Sequence, residues 1–217
     1  MKTTLFETIV TQIQEIAPGV FTISIPRKED FRPGQMLALA LDKNEEPRLY
    51  SIASGNQAKE YRILFNIKSE GFLTPRLAEL KVGDKLYCSN PFGSFYGGNN
   101  ADWWIAAGTG IAPFISMLEA GMAKSKTLIH GGRGLESFYF ADRFKSILKD
   151  KYIQCSSSLN EEGIYPGRLT EYLATFDNLP TKINYYICGS SQLVVDVRDI
   201  LIQKGVPYNH IIAEIYF

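Results

Sequence analysis

The spacing of apolar residues changes once along this chain, close to residues 96–101. Before that point, short apolar runs are separated by turn-forming pairs such as Pro18-Gly19, a pattern typical of antiparallel strands. After it, apolar strands such as Trp103–Ala107 alternate with helical stretches such as Ser191–Gln203. Strand–helix alternation builds a parallel sheet with right-handed crossovers, so the sequence predicts two domains of different class.

The first predicted domain, residues 1–97, is an antiparallel β-barrel. About six short strands at this spacing favour a closed or nearly closed all-β architecture. A short helix over Thr74–Leu80 interrupts the strands, with Thr74 as its N-cap and Pro75 in its first turn. The clearest of the predicted strands are Thr8–Ile16, Val20–Ile25, Met36–Leu41, Tyr61–Ile67 and Lys85–Ser89.

The second predicted domain, residues 98–217, is a five-stranded parallel α/β domain. Its third strand ends near Ser156, and the other four are Trp103–Ala107, Thr127–Ile129, Tyr185–Cys188 and Ile211–Ile215. The helices between them are Pro113–Ala123, Ser137–Leu148, Arg168–Thr175 and Ser191–Gln203. Folds of this class bind their ligands beyond the carboxyl ends of the strands.

Charge and cysteine content exclude several classes of protein. Lys plus Arg and Asp plus Glu each number 23, so the chain has no net charge and is not expected to bind nucleic acid. Cys88, Cys155 and Cys188 form no CxxC pair, and the histidines are His130 and His210. We therefore expect no zinc ribbon, no iron–sulfur cluster and no metal site, and a reducing compartment suits the three thiols.

The beginning of the chain is a poor signal peptide, because Met1–Val10 is interrupted by Glu7. No apolar run reaches membrane-spanning length. We expect a cytoplasmic protein that does not bind membranes, with a monomer as its default state. His130 and the two tryptophans, Trp103 and Trp104, are expected to be structural.

A glycine-containing turn directly follows the first strand of the second domain and opens a helix. It comprises Gly108, Thr109, Gly110 and Ile111. Glycines allow the backbone to approach a pyrophosphate, and a helix N-terminus supplies free N–H groups. The turn thus favours nucleotide binding over a plain tight turn, and it is not a Walker loop because no Gly-Lys-Ser/Thr follows.

Six motifs, in this order and with these gaps, resemble those of the ferredoxin–NADP reductase family from about residue 30 onward. They are Arg48–Ser51, Gly71–Leu77, Pro91–Phe95, Gly108–Phe114, Cys188–Ser190 and Glu214–Phe217. The compact bacterial members of that family, which reduce ferredoxin or flavodoxin, are the most similar. The resemblance implies an FAD-dependent enzyme that takes a hydride from a nicotinamide dinucleotide and passes the electrons to ferredoxin or flavodoxin.

The resemblance also implies roles for residues of the barrel. Arg48 would pair with the FAD pyrophosphate, Tyr50 would pack beside the isoalloxazine, and Ser51 would hydrogen-bond flavin N5. The remaining FAD residues are Leu49 in the same strand and the second phosphate cradle of Gly71, Phe72, Leu73 and Thr74. The alternative is a structural salt bridge, a core tyrosine, a strand serine and a capped turn.

At the C-terminus, Tyr216 would stack on the flavin face where the nicotinamide must sit, and would move aside for hydride transfer. Phe217 would extend toward the FAD adenine. Cys188, Gly189 and Glu214 would line the nicotinamide site. A small buried thiol and an exposed terminal acid are the structural alternatives for Cys188 and Glu214.

The choice between NADP and NAD depends on partners for the 2′-phosphate. Arg133 and Arg168 match family arginines near that phosphate. Related NADP enzymes carry Ser or Thr followed by Arg at the end of the third parallel strand, where this chain has Ser156-Ser157-Ser158-Leu159, with Ser157 and Ser158 as the candidate contacts. Losing one cationic contact weakens 2′-phosphate binding by about 1–3 kcal/mol, which leaves a small preference for NADPH over NADH.

Three other functions compete with this reading. A free-flavin reductase, or a module that donates electrons to another partner, would have the same motifs. An iron–sulfur-linked subunit is disfavoured because no cysteine cluster follows the second domain. A non-catalytic dinucleotide-binding regulatory protein would keep the fold and lose the flavin, against which Arg48–Ser51 and the aromatic C-terminus argue.

Overall fold

The computed structural model describes residues 4–98 and 100–216, and its backbone divides into two compact units. The first unit holds the described part of residues 1–96 together with 112–120, and the second holds the described parts of 97–111 and 121–217. Helix α2, Ala112–Glu119, therefore belongs to the N-terminal unit although it lies in the second half of the sequence. The predicted limits of the two folding domains stay a prediction.

Antiparallel strands make up most of the first unit. Its elements, besides α2, are β1 (Phe6–Ile9), β2 (Gln12–Ala17), β3 (Val20–Pro26), β4 (Met36–Ala40), β5 (Arg48–Ser51), β6 (Glu60–Asn66), α1 (Thr74–Ala78) and β7 (Lys85–Cys88). The strands form one sheet in the order β1-β7-β4-β5 and another in the order β2-β3-β6.

The two sheets are joined at both sides, which closes them into a barrel. An isolated bridge between Ile52 and Ile63 links the end of β5 to β6. On the other side, β1 and β2 are consecutive: the Val10 N–H donates to the carbonyl of Asp84 and the Thr11 N–H to that of Ser24. The segment Thr8–Ile16, predicted as one strand, forms parts of two strands. The chain changes its pairing partner here, since β1 pairs with β7 and β2 pairs with β3.

The interior of the barrel is filled by apolar side chains that alternate with outward-facing ones along the strands. Ile23 and Ile25 on β3 and Leu37 and Leu39 on β4 are fully buried in one cluster. Buried Tyr61 lies at its rim, where its hydroxyl donates to the carbonyl of Glu29 at 2.7 Å.

Helix α1 begins differently from the prediction. Leu73 is its N-cap residue, and Thr74 is the first helical residue, so the predicted capping role of Thr74 is wrong. The Thr74 hydroxyl instead accepts a hydrogen bond from the backbone N–H of Lys68 at 2.9 Å. It thereby closes the turn in which the Gly71 N–H donates to the Lys68 carbonyl.

The second unit is a parallel sheet with helices, as predicted for the fold class. Its main elements are β8 (Trp103–Ala107), β9 (Thr127–Gly132), α3 (Ala141–Leu148), β10 (Tyr152–Ser156), β11 (Ile164–Pro166), α4 (Leu169–Ala174), β12 (Tyr185–Ser190), α5 (Ser191–Gln203) and β13 (Ile211–Tyr216). Within the described residues the sheet order is β11-β10-β9-β8-β12-β13. The chain runs outward from the central β8 through β9 and β10 to β11, and then returns to β12 on the other side of β8, with β13 at that edge.

The predicted fold class is confirmed, but the strand count of five is wrong, because the described sheet has six strands. The missed strand, β11, has only three residues and ends in a proline, so it carries no periodic signal. Helix α3 is shorter than predicted. Leu135–Ser137 form a separate 3-10 turn, and Phe140, at φ 60°, precedes the first residue of the helix.

One face of the sheet is buried because apolar side chains on its strands pack against those of α4 and α5. Fully buried Ile105 and Ile187 on the central strands pack in one cluster with Leu173 of α4 and with Val197 and Leu201 of α5. Continuous apolar strands of this kind are typical of parallel sheets. None of the helices formed by residues 4–98 and 100–216 is both long and apolar enough to cross a bilayer.

Candidate active site

The Gly108–Ile111 turn lies where the strand order of the parallel sheet reverses. It forms a 3-10 turn immediately after β8, whose neighbours in the sheet are β9 on one side and β12 on the other. Chain connections leave β8 and β12 in opposite directions along the sheet, which opens a crevice at their carboxyl ends. Ligands of open α/β sheets bind at such a reversal.

The two glycines of this turn are required for different reasons. A Cβ atom on Gly110 would lie 2.6 Å from the carbonyl carbon of Cys188 and 2.8 Å from the Cα of Gly189. Gly110 therefore lets the turn lie directly against the end of β12. Gly108 has φ +57° and open space where its Cβ would be. Ile111 is fully buried and anchors the turn, and Thr109 is half-buried. Because no atom lies where a Gly108 side chain would be, the backbone at Gly108 is accessible to a phosphate.

Cys188 and Glu214 lie side by side at the ends of β12 and β13. They are register partners, and the Cys188 Sγ is 4.0 Å from the Glu214 Oε1. Burial, and then the neighbouring Glu214 carboxylate, raise the pKa of the Cys188 thiol well above its ordinary value, against a smaller opposing effect of a hydrogen bond with Tyr216. Cys188 is thus a buried, neutral thiol, and a neutral thiol is a weak nucleophile.

Tyr216 is the last described residue and ends β13, where it is the register partner of Ser190. Its side chain is half-buried. Gly189, Cys188 and Glu214 therefore share this end of the sheet with Tyr216, and their contact with a nicotinamide stays a prediction. Phe217, predicted to approach the FAD adenine, lies outside the described residues.

The predicted 2′-phosphate residues follow three adjacent strands. Ser156 is the register partner of Gly132 on β9 and of Pro166 on β11. The residues that come next are exposed and lie at one edge of the sheet; they are Arg133, Ser157, Ser158 and Arg168. Ser156 itself is buried, and its hydroxyl donates to the Arg133 carbonyl and accepts from the N–H groups of Ser158 and Leu159. The Ser156 carbonyl also accepts from the Gly167 N–H after β11, so Ser156 holds all three loops, two through its hydroxyl and one through its backbone. Sequence reasoning missed this role.

In the barrel unit, the four predicted FAD residues of β5 differ in exposure. Ser51 is 2% exposed, whereas Leu49 is 56% exposed. The Arg48 guanidinium is more than half exposed and lies 3.8 Å from Glu46, a loose ion pair that leaves it accessible to an anion. Burial raises the pKa of Tyr50 to about 12, so its phenol is neutral, and its ring meets Phe65 edge-on.

The second predicted FAD segment forms an exposed tip. Phe72 is 61% exposed, while Leu73 next to it is buried. A Cβ on Gly71 would lie 2.9 Å from the Lys68 carbonyl oxygen, which explains the glycine. The Arg76 guanidinium lies 4.8 Å from the centre of the Phe72 ring.

An ion pair ties this segment to the loop that precedes β5. Arg76 on α1 donates to Glu45 at 2.9 Å, and Arg48 pairs with the next residue, Glu46. The two predicted FAD segments therefore flank one acidic loop. Sequence reasoning missed Arg76 and Glu45, although Arg76 belongs to the quoted Gly71–Leu77 motif.

His130, expected to be structural, is fully buried on β9. Its Nδ1 lies 2.9 Å from the Tyr152 hydroxyl, and its ring meets Phe138 edge-on. Burial lowers its pKa to about 3, so the imidazole is neutral. Trp104 is also fully buried, while Trp103 is half-buried. No cluster of metal-binding side chains occurs among the residues that the structure describes.

Comparison with known proteins matches each half of the chain to one domain family. Residues 9–96 match the oxidoreductase FAD-binding domain, and residues 104–199 match the oxidoreductase NAD-binding domain. A curated relative, the flavodoxin/ferredoxin–NADP reductase of Rhodobacter capsulatus, is 28% identical over 90% of this chain and 85% of its own length. The chain belongs to the ferredoxin reductase-like family.

Other members of the ferredoxin reductase-like family extend the comparison. The reductase component of propane 2-monooxygenase from Mycolicibacterium goodii is 27% identical over 86% of this chain, which spans only 59% of that protein. A crystal structure of a ferredoxin NADP⁺ reductase from Neisseria gonorrhoeae with bound FAD and NADP superposes with a TM-score of 0.88 at 22% identity, covering 100% of both chains. The predicted family, the fold class and the presence of FAD- and NAD-binding domains are confirmed.

Proposed function

We propose that this member of the ferredoxin reductase-like family transfers a hydride from NADPH to FAD and passes the electrons singly to ferredoxin or flavodoxin. The observation that carries the proposal is the Gly108–Ile111 turn, pressed against β12 at the strand-order reversal in a chain that also has an FAD-binding domain. FAD, when bound, accepts the hydride and releases two electrons one at a time.

The dinucleotide is held by the second unit. Backbone N–H groups of the Gly108–Ile111 turn bind its pyrophosphate. Cys188 and Glu214 line the nicotinamide pocket, and the neutral Cys188 thiol avoids placing a second negative charge beside the Glu214 carboxylate. With both groups bound, Tyr216 would lie where the nicotinamide has to sit and would have to move aside before hydride transfer.

The flavin is held by the first unit. Arg48 would pair with its pyrophosphate, and Tyr50 would pack its neutral ring beside the isoalloxazine. The Ser51 hydroxyl would hydrogen-bond flavin N5, and because Ser51 is buried, little water would compete for that hydroxyl. Leu49, Phe72 and the turn from Gly71 to Thr74 would complete the FAD contacts.

NADPH is the preferred donor because cationic and hydroxyl groups share one sheet edge. Arg133 and Arg168 supply charge for the 2′-phosphate, and Ser157 and Ser158 supply hydroxyl donors. NADPH loses its hydride and leaves as NADP⁺. Each NADPH would supply the two electrons that reduce two equivalents of a one-electron acceptor.

The acceptor is a small redox protein, ferredoxin or flavodoxin. The name of the Rhodobacter capsulatus relative supports that choice, whereas those of other relatives, such as the reductase component of propane 2-monooxygenase, name different electron-transfer systems. We place this protein in the cytoplasm as a monomer, and the free, buried state of all three cysteines supports a reducing compartment.

The test is an anaerobic absorbance titration of the purified protein. Flavin bands that bleach with NADPH faster than with NADH, and return when oxidised ferredoxin or flavodoxin is added, are the expected result. Bands that appear only with added FAD, with turnover that requires free flavin, favour a free-flavin reductase. A protein that retains no FAD and still binds NADP⁺ would be a dinucleotide-binding regulatory protein, and the proposal would be wrong.

A further inference from the structure

Helix α2 is fastened to the loop that follows β5 by one carboxylate. Glu119, the last residue of α2, accepts a 2.8 Å hydrogen bond from the Gly55 N–H through Oε2. Its Oε1 forms an ion pair with the Arg62 guanidinium on β6. All three residues belong to the first unit. The carboxylate therefore binds β6 and the loop after β5 to the same helix.

Every residue from Ala53 to Gly55 takes part in this attachment. The Arg62 guanidinium also donates to the Ala53 carbonyl at 2.5 Å. The Ser116 hydroxyl, one turn back on α2, donates to the Ser54 carbonyl at 2.7 Å. Because a guanidinium presents its donors in a rigid fork, Arg62 can hold Ala53 and Glu119 at once.

The attachment is tightly packed as well as hydrogen-bonded. A Cβ on Gly55 would lie 2.8 Å from the Glu119 Cβ and 3.0 Å from the Glu119 carbonyl carbon, so only glycine permits this approach. Ser116 and Ser54 are 0% and 3% exposed. The Glu119 and Arg62 side chains are 12% and 24% exposed. Removing one partner of such a pair leaves the other charge largely buried, which disturbs the loop locally.

The attached loop begins two residues after Ser51. Ser51 is the last residue of β5 and pairs with Met36 on β4, and fully buried Ile52 separates it from Ala53. A four-residue strand has few bonds of its own, so the segment beyond it fixes the direction in which Ser51 leaves the sheet. We infer that Arg62 and Glu119 are positioning residues that hold the Ser51 hydroxyl in line for the flavin, an inference that rests on the function proposed above.

The test compares Glu119→Ala and Glu119→Gln with a matched control, Glu7→Gln. Glu7 forms the exposed ion pair with Lys85, 3.0 Å apart, in the same barrel. Each variant is loaded with FAD, and three quantities are measured: the FAD dissociation constant, the visible spectrum of the oxidised flavin, and the rate of flavin reduction by NADPH in anaerobic stopped flow. Glutamine retains an acceptor for the Gly55 N–H, so it is the milder change at Glu119.

A displaced hydroxyl slows hydride transfer without weakening dinucleotide binding. A misplacement of about 1 Å costs on the order of 100-fold in rate, so we expect roughly 100-fold for Glu119→Ala and roughly tenfold for Glu119→Gln. The NADPH concentration for half-maximal rate should stay within about twofold, because the turn that binds the dinucleotide is untouched. Relative to the wild type, the visible absorption bands of the bound flavin should shift in both Glu119 variants and should stay unchanged in Glu7→Gln.

The outcomes separate this inference from the proposed function. Wild-type reduction rates and spectra in both Glu119 variants would overturn the inference and leave the proposed function standing. An increased half-saturating NADPH concentration at an unchanged limiting rate would also overturn it. A wild-type protein that takes up no FAD would overturn both. If Glu119→Ala does not fold, Glu119→Gln and Arg62→Lys decide, and wild-type behaviour of both would refute the positioning role.

Discussion

Removing the Arg168 side chain should separate the two nicotinamide dinucleotides. Arg168 follows β11 at the edge of the sheet where Arg133 follows β9. Neighbouring strands lie about 4.8 Å apart, so the β9 and β11 backbones are roughly 10 Å apart with β10 between them. Two long arginine side chains can reach one phosphate from opposite sides across that gap. NADH has no 2′-phosphate, so the KM for NADH should not change.

The size of the effect follows from the contact that Arg168→Ala removes. A hydrogen bond to a charged group contributes about 1.5–3 kcal/mol, and each 1.4 kcal/mol is tenfold in affinity. Because Arg168 is exposed, we expect the lower part of that range, an increase of roughly tenfold in the KM for NADPH. A phosphate monoester loses its second proton near pH 6, so the preference for NADPH over NADH should shrink below about pH 6.

The assay is steady-state reduction of an electron acceptor with NADPH and with NADH, at pH values above and below 6. Arg198→Ala is the matched control, since Arg198 is an exposed arginine of the same unit that pairs with Asp199 on α5. It should change neither KM. An equal increase in both KM values for Arg168→Ala would show that Arg168 does not contact the 2′-phosphate, and no change would remove it from the site.

Three further predictions concern other parts of the chain. Tyr216→Ser should increase nicotinamide occupancy beside the flavin; unchanged NADP⁺ difference spectra would contradict a gating role. Ser51→Ala should slow flavin reduction far more than it weakens FAD binding, and a wild-type rate in stopped flow would show that the hydroxyl does not act at N5. Because burial holds the pKa of His130 near 3, below that of the unfolded chain, the free energy of unfolding should fall by up to about 1.4 kcal/mol per pH unit between about pH 6 and 3 from this residue alone. His130→Gln should flatten that slope in urea titrations, and an identical slope would contradict it.

Local patterns were sufficient for the class of each half of the chain. The turn pairs and short apolar runs of the first half predicted antiparallel strands. The apolar strands of the second half, which alternate with helical stretches, predicted a parallel sheet, because the spacing of apolar residues reflects which faces are buried. The Gly108–Ile111 turn was also recognised from the local sequence, by its two glycines. A glycine turn between a buried strand and a helix is a local feature with a local cause.

The sequence could not show where a strand changes partner or where a very short strand adds to a sheet edge. The segment Thr8–Ile16 looks continuous, and only the pairing of its two ends with different strands divides it. Strand β11 has three residues and is held by its neighbour β10. The capping role expected of Thr74 failed for the same reason, since its hydroxyl is engaged by Lys68, a partner set by the turn.

The sequence by itself determined the two fold classes, the family, and the segments expected to hold FAD and the dinucleotide, because these depend on local periodicity and on short motifs. Only the tertiary structure decided that α2 belongs to the same unit as the barrel. It also decided that Glu119 and Arg62 form an ion pair and that Glu119 binds the loop after Ser51 through the Gly55 N–H. Glu119 and Arg62 are separated by 57 positions in the chain. A contact between distant residues depends on how the strands close into the barrel, which no local pattern records.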